Sequence, residues 1–371
     1  MTTISLSYEA IACVVCGEDN YEPLYQYQKT FQTNDSAYHF DVNEGICKGC
    51  GLIYQNPRPD EASLSLYYEN KVLHSVGNPD YNLENRLRVL KKFAGARKTL
   101  FEIGSNEGSF LQSASADFIV SGYDPINENT REESPAKSYD IVVSNHVLEH
   151  INRPDLFLKQ IAGRLTNDGL LIFEVPNLHQ YNTYSSGIFH EHLYHFSPEK
   201  LCVLVESAGF EIVDLEMLTV SRPLGFTVIA RKKSVRSRQI SNEYQVNKSY
   251  YLAAVQCIRE KEAKRRGLLR KLFSSQDKKI GFWGANLIML EMMKAIPEEE
   301  HHRILLVDKS ESRWNSWFDQ NKRVPVCDPR RIKDDLNGGH MVICAVSWEQ
   351  EIRKELHTLG FSDNFIHTAP Y

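Results

Sequence analysis

Four side chains able to move protons fall within six residues of SSGIFHEHLYHFSPEKL: His190, Glu191, His192 and His195. A histidine titrates near neutrality and can take a proton from an acceptor at working pH, while a neighbouring carboxylate fixes its tautomer and raises its basicity. Read as an extended segment, the run puts His190 and His192 on one face and Glu191 on the other. Two upstream segments end in polar groups of the same kind. YDIVVSNHVLEHI closes on Asn145, His146, Glu149 and His150, and GLLIFEVPN closes on Glu174, Pro176 and Asn177. The H-E-H spacing matches no zinc-helix motif and no thiolate lies nearby, which argues against a metal at this cluster. A purely structural alternative is a polar loop leading into a helix at Ser197-Pro198, a good N-cap pair. His195 then points toward that helix start.

The elements that must position these groups begin with FEIGSNEGSFL, residues 101–111. A buried strand through Glu102 breaks on Gly104 and Gly108 into a helix from Ser109, a design that offers backbone N–H groups to a nucleotide-like ligand. A second strand, IVSGYDP, ends in Asp124, whose carboxylate could accept both hydroxyls of a ribose. The pair points to an S-adenosylmethionine (SAM) site. From there strands and helices alternate: TLFEIG, FIVSGYD, YDIVVSNHVLEHI, a helix over Pro154 to Leu165, then GLLIFEVPN. Continuous apolar strands alternating with helices predict a parallel sheet covered on both faces, with ligands at the carboxyl ends of its strands.

Four of the eight cysteines form two knuckles, Cys13-Val-Val-Cys16-Gly17 and Cys47-Lys-Gly-Cys50-Gly51. Each C-x-x-C places two thiolates on one side of a tight loop, and together they complete a tetrahedral zinc site. Four thiolates leave no open position, so the zinc is expected to be structural. Between the knuckles, Tyr25, Tyr27, Phe31, Tyr38 and Phe40 suggest short strands in a module too small to hold together without metal. Cys202, Cys257, Cys327 and Cys344 stand singly in apolar settings and read as core.

The composition is that of a soluble globular enzyme: 371 residues, 42% hydrophobic and 25% charged, with a net charge of -5. That charge argues against a nucleic-acid partner. The one basic stretch, Arg259 to Phe273, carries mixed charges and spaced leucines that fit a solvated helix between domains. The N-terminus lacks a basic region ahead of its short apolar stretch, and no apolar run approaches ~18 residues, so neither a secretory signal nor a membrane span is expected. A cytoplasmic location follows, which favours metal-bound over disulfide-bonded cysteines.

These readings divide the chain into a zinc-binding module at 1–60, a SAM-binding core at 61–235, a helical linker at 236–276 and a second α/β domain at 277–371. A polar helical stretch from Glu61 to Ala96 leads into the core. The last domain repeats the strand, glycine turn and helix in KKIGFWGANLIMLEMM, followed by RILLVDKS ending in Asp308 and by MVICAVS. Gly281 and Gly284 are followed there by Asn286 rather than a third glycine, so an independent dinucleotide site is not favoured.

Taken together, the two C-x-x-C knuckles, E-I-G-S-N-E-G, N-x-V-L-E-H, the V-P-N strand end, H-E-H-x-x-x-F-S and the C-terminal G-x-x-G-A turn with V-P-V resemble the SAM-dependent sugar C-methyltransferases of deoxysugar pathways. The resemblance covers essentially the whole chain. It implies a class I SAM-methyltransferase Rossmann-like core between a small zinc-binding module and a second Rossmann-like domain. It also implies methylation of a carbon beside the keto group of a nucleotide-linked sugar. By the same resemblance His192 is the base, with Glu191 and His150 binding or polarising the sugar, and SAM is held by Glu102, Gly104, Asn106, Gly108, Asp124 and Asn145. The chain departs from the pattern in three places. Phe189 stands where a tyrosine precedes the base, Leu66 to Tyr81 lacks the tyrosine- and serine-rich stretch, and only 16 residues separate Asp124 from Asp140. PINENTREESPAKS looks too short and polar there for the usual helix and strand. Phe189 keeps O- or N-methylation of a sugar or other small molecule open. The short segment is the only support for a non-catalytic binding protein on a decayed SAM fold.

Overall fold

The computed structural model describes residues 2–32, 36–70, 82–124, 138–182, 187–218, 225–234, 238–274, 278–311, 324–332, 336 and 338–370. The chain divides into two compact units, Met1–Val255 and Gln256–Tyr371.

The first unit opens with β1 (Thr2–Ser5), β2 (Tyr8–Glu9), β3 (Tyr21–Gln32), β4 (Ser36–Cys47), β5 (Ile53–Gln55) and β6 (Arg58–Pro59). The expected short strands between the knuckles are instead two paired strands of 12 residues each, β3 antiparallel to β4. Alternation explains the length: Tyr38, Phe40 and Val42 all point inward and pack with Tyr67, giving one face of β4 a continuous apolar row. The predicted helical stretch from Glu61 to Ala96 is two helices, α1 (Glu61–Asn70) and α2 (Leu83–Ala94). Residues 71–81 between them, which include most of the Leu66 to Tyr81 stretch, lie outside the described residues. α2 buries Val89, Leu90 and Ala94 and stops at Gly95, where a φ of 59° suits a residue without Cβ.

A six-stranded sheet follows, built from β7 (Thr99–Ile103), β8 (Ile119–Tyr123), β9 (Tyr139–Asn145), β10 (Leu165–Pro176), β12 (Phe210–Met217) and β13 (Gly225–Lys232), with α3 (Ser109–Ala114), α4 (Pro154–Arg164) and α5 (Pro198–Ser207) in the connections. The strand β11 (Tyr194–His195) belongs to the other sheet, pairing with β5. The order is β12-β13-β10-β9-β7-β8. As expected, β8, β7, β9 and β10 are parallel. The sequence reading overlooked β12 and β13, which run antiparallel to each other, with β13 antiparallel to β10. The connection between them is too short for a crossover, so only a reversed pairing is open. Successive strand residues feed two cores: Phe101, Val142, Leu171, Phe173 and Val228 on one face, Leu100, Ile141, Val143, Ile172 and Ile229 on the other. Each such buried side chain contributes about 1.5–3 kcal/mol. Among the described residues β8 is an edge, and most of the segment PINENTREESPAKS lies outside them.

The second unit starts within α6 (Tyr244–Phe273), which extends well beyond the predicted basic stretch. It comprises β14 (Ile280–Trp283), α7 (Leu287–Met293), β15 (Ile304–Val307), β16 (Val326–Cys327), β17 (His340–Ile343), α8 (Glu349–Thr358) and β18 (Ile366–Thr368). Its five strands are all parallel in the order β16-β15-β14-β17-β18. No helix of the described residues is long and apolar enough to cross a membrane.

Candidate active site

β9 ends at Asn145, and His146 follows in the left-handed region with φ 52°. Its amide donates to the Glu174 carbonyl of β10 at 2.9 Å, which holds this uncommon turn in place. The ring sits between two carboxylates, Nδ1 at 3.2 Å from Glu149 Oε1 and Nε2 at 2.9 Å from Glu174 Oε1. With acceptors on both nitrogens the ring is an imidazolium. Burial works against that charge, but the two carboxylates outweigh it and push the pKa up to about 10. Burial likewise opposes the Glu149 charge, and His146, His150 and His192 overcome it, bringing that carboxyl down to about 2.

Two contributors escaped the sequence reading. Asn82 donates through Nδ2 to Glu174 Oε1 at 2.9 Å. Arg86 of α2 pairs with Glu102, lies over the Phe110 ring at 4.0 Å and, in the amide orientation that satisfies both groups, donates from Nε and Nη2 to the Asn145 oxygen at 3.0 and 2.7 Å. The available signal was a cation three and four residues before Val89 and Leu90, on the apolar face of an amphipathic helix. Glu102 and Asn145 are thus tied to Arg86 at the ends of β7 and β9.

The histidine-rich segment is a tight turn, not an extended strand. The His192 amide donates to the Phe189 carbonyl at 2.9 Å, and Gln55 Nε2 donates to the His190 and His192 carbonyls at 3.0 and 2.9 Å. The Leu193 amide reaches Glu149 O at 2.8 Å, tying the turn to the end of β9. Consequently His190 and Glu191 share one direction. The His190 ring stands 4.8 Å from that of Phe40, and the Tyr67 hydroxyl donates to Glu191 Oε1. Glu191 therefore does not set the His192 tautomer, as the sequence suggested. The Gly187 carbonyl does, accepting from Nδ1 at 2.8 Å. A Cβ at Gly187 would fall 2.1 Å from the Tyr181 ring, so a side chain there would displace that carbonyl.

His150 approaches from the other side. Its Nδ1 donates to Glu191 O at 2.9 Å, its Nε2 lies 3.9 Å from Glu149 Oε1, and its ring centroid is 4.8 Å from that of His192 at 74°. His192 is 8% exposed. Burial, then the like charge of His150, lowers its pKa to about 3, with Glu149 pulling the other way. The ring is neutral near pH 7, with an Nε2 lone pair that accepts no hydrogen bond among the described residues. His195, expected to face the helix start, turns inward instead. Its Nε2 is 2.9 Å from the buried Glu44 Oε2 and its Nδ1 3.1 Å from the Tyr181 hydroxyl. The helix cap belongs to Ser197, which accepts from Lys200 N.

The glycine turn lies at the carboxyl end of β7. Gly104, Asn106 and Gly108 all have positive φ, and a Cβ at Gly104 would meet Val147 Cγ2 at 2.5 Å. Asp124 directly follows β8 and accepts from the Asn106 amide through Oδ2 at 2.9 Å. A fixed acid beside a turn that excludes a side chain at Gly104 fits the ribose and backbone contacts of SAM. The knuckles also close on each other: Cys13 Sγ lies 3.5 Å from Cys50 Sγ and Cys16 Sγ 3.4 Å from Cys47 Sγ, with all four sulfurs within 4.8 Å of one another. Gly17 and Gly51 donate equivalently to the Cys13 and Cys47 carbonyls at 2.8 Å. Four convergent sulfurs fit a tetrahedral zinc ion.

With this geometry in hand, residues 76–215 match the family model described as a methyltransferase domain. The chain carries a SAM-dependent methyltransferase domain of class I fold. Over 243 residues it is 32% identical to C-methyltransferase NovU of Streptomyces niveus, an alignment covering 56% of this chain and 58% of that relative's length. Among solved structures it is similar to a SAM-dependent methyltransferase of Archaeoglobus fulgidus, with 21% identity, TM-score 0.35, and coverage of 40% of this chain and 93% of that one. The magnesium protoporphyrin IX methyltransferase ChlM of Synechocystis, solved with bound SAH (S-adenosylhomocysteine), matches at 14% identity and TM-score 0.33, covering 41% of this chain and 82% of that one.

Proposed function

We propose that the enzyme methylates a carbon adjacent to a ketone in a nucleotide-linked sugar, with His192 as general base and a structural zinc on Cys13, Cys16, Cys47 and Cys50. The observation that carries the reading is the His192 ring. Its tautomer is fixed by Gly187 O, its Nε2 is unprotonated near neutrality, and it lies on a turn bonded to the end of β9. Nε2 takes the proton from the carbon, and the charge of nearby Glu149 supports the imidazolium that results. His150 stands beside the base, where it can polarise the acceptor oxygen. Glu191 acts at one remove, holding the turn through Tyr67. When bound, SAM supplies an electrophilic methyl for the enolate, and Gly104, Asn106, Gly108 and Asp124 are the residues that would hold it, with Glu102 and Asn145 shaping the strand ends through Arg86. The 32% identity to a C-methyltransferase supports the choice of carbon as acceptor.

A second reading, O- or N-methylation of a sugar or other small molecule, is favoured by Phe189. Its ring is 5.8 Å from that of His192 and has no hydroxyl to stabilise an enolate. One experiment separates the two. In deuterated solvent with S-adenosylhomocysteine in place of SAM, the wild-type enzyme should exchange the α-proton of a ketosugar acceptor. Turnover without any exchange would transfer the assignment to oxygen or nitrogen.

A further inference from the structure

The sequence argued against metal at the histidine cluster, because it offered only the local H-E-H run. The fold draws donors from two separate segments instead. We propose that Glu149, His150 and His192 form a second divalent-metal site, separate from the four cysteines and selective for zinc-class ions, whose occupancy shuts off the base.

One donor atom from each of these residues lies within 4.8 Å of the others. Both imidazoles have their Nδ1–H groups committed to backbone carbonyls, His150 to Glu191 O at 2.9 Å and His192 to Gly187 O at 2.8 Å. That leaves two Nε2 lone pairs facing a shared space, the outer arrangement usual for metal-bound histidines. The third donor is a carboxylate oxygen. Glu149 is 1% exposed, its Oε1 is engaged by His146 at 3.2 Å and lies 3.9 Å from His150 Nε2, and its Oε2 is buried without a hydrogen-bond partner among the described residues. An unpaired carboxylate oxygen in that setting is costly, and a cation would satisfy it. His146, held in turn by Glu174, fixes the carboxylate from behind.

Two imidazole nitrogens and one carboxylate suit zinc, cobalt or nickel rather than magnesium or calcium, which favour all-oxygen sites. Metal–ligand bonds of about 2.0–2.2 Å require the donors to close by roughly 1 Å, within the reach of side-chain rotation, and leave a fourth position open. The consequence for activity rests on the reading of His192 as base: a metal on Nε2 uses the lone pair that would take the substrate's proton. The metal-free triad is then the active form, and free zinc is an inhibitor that acts at the chemical step.

The test uses full-length protein whose cysteine site is already zinc-loaded. Cobalt(II) is added and followed by equilibrium dialysis and visible absorption. A second equivalent per chain is expected, with ligand-field bands but without the thiolate charge-transfer absorption that cobalt on four cysteines gives. His150→Ala should weaken it by at least about tenfold, and His150→Gln serves if the alanine variant does not fold. Turnover should fall in proportion to this second equivalent. No second equivalent in the wild type, or equal binding in the His150 variants, would overturn the site, and turnover that is unchanged or raised by bound metal would overturn the inhibition. If His192→Ala keeps full turnover yet loses the second cobalt, the base assignment falls while the metal site stands.

Discussion

In the first unit the strand β7 runs into Gly104, whose amide donates to Tyr123 O at 2.8 Å, and the acid following the next strand, Asp124, takes the Asn106 amide at 2.9 Å. In the second unit β14 runs into Gly284, whose amide donates to Val307 O at 2.8 Å, and Asp308 takes the Ala285 amide at 2.8 Å. The device is the same: a positive-φ glycine, a return hydrogen bond and an acid that clasps the turn. The surroundings differ. Beside Gly104 the neighbouring strand β9 ends in Asn145 and runs into His146, with Glu174 on the next strand, β10. Beside Gly284 the neighbouring strand β17 continues into Cys344 and Ala345, a Cβ on the glycine would lie 2.8 Å from Ala345, and Asn286 is occupied with Cys344 O and the Met289 amide. A clasped glycine turn is therefore a way of starting a helix after a strand, and chemistry depends on what the adjacent strand ends carry.

The largest effect that could break this contrast concerns metal. Binding of structural zinc is worth ~10–16 kcal/mol in small zinc domains. Cys47→Ser should therefore lose its zinc and the hydrogen-exchange protection of β4, β5 and the His192 turn, while β14, β15 and β17 stay protected. Equal loss in both units would show that the contrast between a metal-dependent and a metal-independent unit is false.

Next comes the base. His192→Ala should reduce turnover by ~10²–10⁴-fold with SAM affinity nearly intact. Full turnover in steady-state assays would remove chemistry from the histidine turn.

The acids give the most direct comparison. Asp124→Ala should weaken SAM binding by at least about tenfold in calorimetry, whereas Asp308→Ala should leave it unchanged. Equal effects would mean that the two turns had been wrongly distinguished.

The smallest effect is on stability. His146 has its folded pKa raised to about 10, above its unfolded value, so its contribution is complete below about pH 6.5 and lost as the pH rises through about 10. The difference in unfolding free energy between wild type and His146→Gln should shrink over that window. In the second unit burial lowers the pKa of both His340 and His367, so their linkage has the opposite sign, and stability there is lost as the pH falls below about 6.5. Denaturant titrations across pH that found a constant His146→Gln difference would rule out the charged network.

What the sequence made legible was local. The glycine turn, the acid at the end of β8, the two knuckles and the cap at Ser197 each depend on residues a few positions apart, where backbone geometry dictates residue type. The parallel strands were legible because burial on both faces leaves an unbroken apolar run. β12 was missed because the alternation in FEIVDLEM breaks at Ile212-Val213, where the ladder with β13 shifts register, and β13 because no helix or glycine turn directly follows it to mark a strand of the alternating pattern. The surroundings of the histidines were not legible at all. Glu191 finds Tyr67, His192 finds Gly187 O through a turn, and Glu149 meets His146, His150 and His192 only after β9, β10 and the turn have converged. Arg86 shows the same limit, since its partners Glu102 and Asn145 sit on two strands that nothing in its helix specifies.

Gln55 gives the assembly a temporal order. Its side chain holds the His190 and His192 carbonyls across sequence separations of 135 and 137 residues, and β5 pairs with β11 over a similar span. Contacts that distant carry a large loop-closure cost and are slow to form. During synthesis the cysteine module emerges long before the histidine turn exists, and its β5 edge waits unpaired until residues 187–195 arrive. The His192 turn then depends on contacts of long sequence separation, so a chain that stalls before they form would present the glycine turn after β7 without the histidine turn beside it.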